Sequence, residues 1–194
     1  MKSAIFVLLS ILLLGCFPVQ MWSYEPIDES GRVEQNHKGL TSVSYIKMLD
    51  TSSGISISAG SNNKNEFKIY FQISVAKNSK IEITEWNFRL SSESFNKDLI
   101  IPIETMSTSV YGDDESAGYR KHVKAGEAFF GEASNQKFDQ SLVDLYTVAL
   151  AVNSPMPENL SISLPAFTVN QEVIEIQPVL FKLSSQYNNG YSMQ

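Results

Sequence analysis

Glu66-Phe67-Lys68-Ile69-Tyr70-Phe71-Gln72-Ile73-Ser74-Val75 decides the reading of the whole chain. Phe67, Ile69, Phe71, Ile73 and Val75 take every second position, and polar residues or Tyr70 fill the positions between. Successive side chains of a strand point to opposite faces, so this segment reads as a strand with one face in a core and the other in water. Before it, Val43-Ser44-Tyr45 and Ile55-Ser56-Ile57-Ser58 read as shorter strands, separated by turn-rich residues 50–54 and 60–65. After it, Lys77-Asn78-Ser79-Lys80 predicts a hairpin turn.

The next apolar residues change parity: Ile81 and Ile83 are odd, whereas Trp86, Phe88 and Leu90 are even. A parity change predicts a bulge near Thr84-Glu85, or a chain that passes from one sheet to another. Residues 99–103 form a further strand in which Pro102 marks an edge or an end. Residues 104–141 lack a sustained period and are expected to hold long loops, with a short helical turn where Phe138, Leu142 and Leu145 recur. Residues 145–152 are apolar on both faces, as a central strand would be, and short strands separated by prolines and a turn at Asn170-Gln171 follow to residue 183. Roughly eight to ten short strands with almost no helix predict an all-β, two-sheet β-sandwich of immunoglobulin-like type. The sandwich domain is expected over residues 40–187, with a C-terminal tail at 188–194.

Composition narrows the function classes. With 43% hydrophobic and 19% charged residues, the 194-residue chain can bury a core. A net charge of −6 argues against nucleic acid, which needs a basic face to neutralise phosphates. One cysteine cannot form an internal disulfide or a thiolate metal cluster.

That cysteine closes an N-terminal segment: Lys2, then a run from Ala4 to Leu14 interrupted only by Ser10, then Gly15-Cys16. The run is too short to span a hydrocarbon core and reads as a secretion signal over residues 1–15. Leu13-Leu14-Gly15-Cys16 resembles the lipobox of bacterial prolipoproteins, with Leu14 where a smaller residue is usual. The resemblance implies a diacylglyceryl group on Cys16, cleavage after Gly15 and acylation of the new amino group, which together anchor the chain in a membrane. An ordinary cleaved signal or an uncleaved anchor are the other readings of this terminus. Phe17 stands where an Asp would, in Gram-negative families, imply retention at the inner membrane, so the expected address is the outer membrane, facing the periplasm. Removal of Lys2 leaves 14 basic and 21 acidic residues, a mature charge of −7. Residues 16–39 read as a lipidated tether spanning about 25–30 Å as a coil, with Trp22 and Tyr24 either at the lipid interface or packed on the domain.

No catalytic set emerges. His37 lies in the expected tether, and His122 stands among Arg120, Lys121 and Lys124, as on a solvated strand face. There is no Gly-x-Ser-x-Gly elbow, no nucleotide fingerprint and no EF-hand spacing around Asp113-Asp114-Glu115. No cofactor or metal is expected. Tyr119, Arg120, Lys121 and Lys124 are the candidate partner-binding residues, set between acidic neighbours, and Phe129 and Phe130 are expected in the core. The sequence therefore predicts a non-enzymatic, lipid-anchored envelope binding or assembly protein, either an accessory subunit of an envelope or secretion complex or a periplasmic immunity protein. The alternative is an envelope hydrolase using carboxylates of the 104–141 region, among them Glu104, Asp113, Asp114, Glu115, Glu127 and Glu132.

Overall fold

The computed structural model describes residues 19–27, 32–35, 43–110, 119–132, 136–138 and 141–188. Cys16 and Asp113 to Glu115 lie outside these residues. The strands run β1 (Val19–Pro26), β2 (Arg32–Gln35), β3 (Val43–Met48), β4 (Gly54–Ser61), β5 (Phe67–Ala76), β6 (Lys80–Ile83) and β7 (Asn87–Ser91). They continue as β8 (Leu99–Pro102), β9 (Thr105–Val110), β10 (Tyr119–Lys124), β11 (Phe129–Phe130), β12 (Gln136–Phe138) and β13 (Ser141–Val152). The last four are β14 (Asn159–Ser163), β15 (Phe167–Val169), β16 (Glu172–Ile174) and β17 (Val179–Asn188). The chain is all-β, and no helix occurs among the described residues.

Most strands join one sheet in the order β10-β9-β13-β5-β4-β1-β17-β14-β7-β8; β11-β6-β15-β16 form a second, small sheet. The strand that decided the sequence reading lies deep in the larger sheet. β5 pairs with β13 from Phe67↔Val152 to Ala76↔Val143 and with β4 from Lys68↔Gly60 to Ser74↔Gly54. Phe67, Ile69, Phe71, Ile73 and Val75 are all buried, as their alternation requires.

Aromatic contacts show how the sheet is bent. β5 and β7 stand five places apart in the strand order, about 24 Å on a flat sheet, yet the rings of Phe71 and Phe88 meet edge to face at 5.0 Å. The sheet therefore curls across its own core, with β1 at the bend between β4 and β17. The small sheet closes the remaining side: Phe167 of β15 lies 6.2 Å from Phe71, and Phe129 of β11 lies 5.0 Å from Tyr146 of β13.

The parity change at Thr84-Glu85 is the point where the chain crosses sheets. Ile81 and Ile83 belong to β6 in the small sheet, and Phe88 and Leu90 belong to β7 in the large one. For the same reason residues 77–79 form a turn but no hairpin, because β5 and β6 lie in different sheets. Ser79 N–H donates to Ala76 O (3.0 Å), and Asn78 takes a φ of 66°. Asn170 and Gln171, both at positive φ, do turn a hairpin between β15 and β16.

Four other expectations are corrected. Residues 16–39 are not tether throughout, since β1 holds the centre of the sheet and β2 pairs with β3. Within β1, Tyr24 is fully buried and its hydroxyl donates to Pro157 O (2.8 Å). The described part of the 104–141 region is mostly strand, and it escaped the sequence reading because Thr105 to Val110 alternate through Thr and Ser hydroxyls that carry little hydrophobic signal. The expected helical turn is instead a β12–β13 hairpin in which Phe138 faces Ser141. β13 is central, but its second face is covered only near its start: Tyr146 and Val152 are buried on one face and Val143 on the other, whereas Thr147, Ala149 and Ala151, in the alternation of Val143, are exposed.

Candidate functional site

The candidate partner-binding residues all fall on β10, which among the described residues pairs only with β9 and forms one edge of the large sheet. Register runs from Tyr119↔Val110 to Lys124↔Thr105. Val123 and Met106 are buried opposite each other, so this hairpin is fastened to the core by its inward positions. The other edges are shorter: β8 has four residues and ends at Pro102, and β2 has four. Short strands and proline blunt an edge; β10, with six residues, is the longest left open among the described residues.

Which backbone groups face outward follows from its C-terminal turn. Lys124 N–H donates to Glu127 Oε2 (2.9 Å), and Lys124 O accepts from Glu127 N–H (3.0 Å). Both groups of Lys124 thus point away from β9. Because outward and inward pairs alternate along an antiparallel ladder, the N–H and C=O of His122 and Arg120 point away as well. The free edge is therefore Arg120 and His122, and Glu127 closes it at Lys124.

Alternation divides the candidate residues between two faces. His122 and Lys124 are exposed on the outer face, in line across the strands with Ser107, Thr147 and Gln72 in one row and with Thr105, Ala149 and Tyr70 in the next. In the register Arg120 stands opposite Ser109 and Tyr119 opposite Val110. Lys121 sits on the inner side and pairs with Glu132 Oε1 at 2.6 Å. Both partners are partly exposed, so that pair is worth at most about 1 kcal/mol.

Glu132 N–H in turn donates to Asp144 Oδ2 (2.7 Å), beside Tyr146, whose hydroxyl donates to Phe130 O (3.0 Å). Phe129 stacks on Trp86 at 5.5 Å and is fully buried, whereas Phe130 is exposed, so only one of the two aromatics enters the core. Burial, reinforced by the charges of Asp144 and Glu132, pushes the Tyr146 hydroxyl from 10.0 up to about 12. The folded state keeps this proton where the unfolded chain loses it. Its contribution to stability is complete below pH 10.0 and is lost as pH rises toward 12. Urea unfolding across that window should show stability falling with pH in the wild type. Tyr146→Phe should flatten the fall; an unchanged slope would assign it elsewhere, with buried Tyr24, raised in the same direction, the next candidate.

The described carboxylates of the hydrolase reading lie on the surface. Glu104, Glu127 and Glu132 are all exposed, Glu127 is turned onto Lys124, and Glu132 is held by Lys121. No group of three or more His, Cys, Asp or Glu that could hold a metal occurs among the described residues. His122 at the centre of the open edge and the Glu127 cap carried no signal in the sequence beyond the run of basic residues and the Gly126 turn. No known family model matches the chain, and neither does a curated protein or a solved structure.

Proposed function

We propose that this chain is a lipid-anchored binding or assembly protein of the cell envelope, held by acyl chains on Cys16, that takes a protein partner as an added strand on β10. The open edge of β10 carries the reading: six residues, backbone donors and acceptors directed outward at Arg120 and His122, and basic residues around them. An added strand gains affinity from main-chain hydrogen bonds, and the basic side chains favour an acidic segment over a second β10, which would bring like charges together. The reading is non-enzymatic and places the domain at the outer membrane, facing the periplasm, as an accessory subunit or an immunity protein. It also takes the scaffold as an immunoglobulin-like sandwich. Two β layers facing across an aromatic core support that classification, while continuity through β1 departs from two separate sheets.

A photo-crosslinking residue at position 122 of the full chain in its native envelope should give one discrete adduct, and the same residue at Ile100 on β8 should give none. His122→Pro removes an outward N–H without touching the β9 ladder. Placed alongside a crosslinker at Lys124, it should cut adduct yield about tenfold, the loss of roughly one hydrogen bond and its neighbour's alignment. Equal yields from both edges would refute an edge-specific partner.

A further inference from the structure

We infer that the end of the domain bearing Trp22 and Lys64 is held against the phospholipid headgroup layer by a leash of three residues. The inference rests on the lipid-anchor reading of Cys16 and goes beyond it. Val19, paired with Asn188, already belongs to the sheet, so from Cys16 to Val19 the chain reaches at most about 10 Å. A free tether of the length read from the sequence would let the domain roam about 25–30 Å.

The residues at this end suit an interface. Trp22 pairs with Ser61, which brings β1 to the loop between β4 and β5, and Lys64 Nζ lies 3.8 Å from the Trp22 ring centroid. Met156 N–H donates to Lys64 O (2.9 Å), tying the loop after β13 to the same end. An indole with an ammonium beside it matches the headgroup zone, where Trp settles and Lys meets phosphate. Exposed Glu66 and Glu158 stand nearby, so net charge does not hold the domain down; the short leash does. The turn at residues 77–79 lies nine residue steps of β5 away, about 30 Å farther from the bilayer. The Tyr119 end of β10 shares that far side, through Ser109, Leu145 and Ser74. The open edge would then rise from the membrane, reachable from the aqueous side.

The test uses the full lipidated chain in phosphatidylcholine vesicles whose headgroups carry a nitroxide quencher. Fluorophores are attached at Asn62→Cys or Lys77→Cys, and only protein that floats with the vesicles is read. Strong quenching at position 62 and little at 77 is expected, and twelve Gly/Ser residues inserted between Pro18 and Val19 should abolish the difference while flotation persists. Equal quenching at the two positions, or quenching indifferent to the insertion, overturns the inference. Failure of the anchor reading looks different: wild type would not float, and its mature N-terminus would lack the acyl mass that Cys16→Ser removes.

Discussion

Phe71→Ala should destabilise the chain by about 3–5 kcal/mol, and Tyr70→Ala, one residue away, by about 1 kcal/mol or less. Phe71 is 1% exposed and touches both Phe88 and Phe167. It is therefore the side chain at which the two arms of the curled sheet and the small sheet converge. Deleting its ring removes buried apolar area, leaves a cavity whose walls belong to three different strands, and loses two aromatic contacts worth roughly 0.5–1.5 kcal/mol each. Domains of this kind hold a total of about 5–15 kcal/mol, so the variant should lose a large share of its stability. Tyr70 is 49% exposed on the opposite face of the same strand and should be nearly silent. Denaturant titration of the two variants decides the matter: comparable losses would mean that β5 does not separate core from solvent as its alternation implies.

That alternation explains which parts of the fold were legible. Where apolar residues repeat every second position, as in β5, the strand and its inward face could be read directly; the parity change between Ile83 and Trp86 signalled either a bulge or a sheet crossing, and the pairing of β6 and β7 in different sheets selects the crossing. The unread parts share a physical cause. β9 presents Thr and Ser on alternate positions and is stabilised by pairing with β10 and β13 rather than by a hydrophobic stripe. β1 looked like tether because its neighbours are polar or proline, yet Tyr24 is a core residue that pairs across to Leu183 of a strand more than 150 residues later. Contacts at that separation leave no local trace. The candidate site was half legible: the basic run in β10 is visible, but only the Lys124–Glu127 turn shows which residues offer free backbone groups to a partner.

Gly131→Ala is expected to cost about 3 kcal/mol or more, through close packing rather than conformation. A Cβ at Gly131 would overlap the carbonyl of Ala76, which is backbone and has no rotamer to escape into. The approach is that tight because Gly131 fastens the small sheet to the end of β5: its N–H donates to Ser79 O and its carbonyl accepts from Asn78 N–H, both at 3.0 Å. Separating the segments would weaken both bonds and pull on Phe129, which is fully buried between Trp86 and Tyr146. It would also draw Glu132 away from Asp144 and Lys121, so the inner side of the candidate site should loosen with the core. Gly126 supplies the contrast. Its φ of 89° is left-handed, but no atom lies within 4 Å of a Cβ placed there, so Gly126→Ala should cost only the backbone strain of about 1–2 kcal/mol. Its effect should centre on the Lys124–Glu127 turn that caps the open edge. Thermal unfolding should therefore rank Gly131→Ala well below Gly126→Ala, and the reverse order would mean that the Ala76–Gly131 contact does not bind the two sheets together.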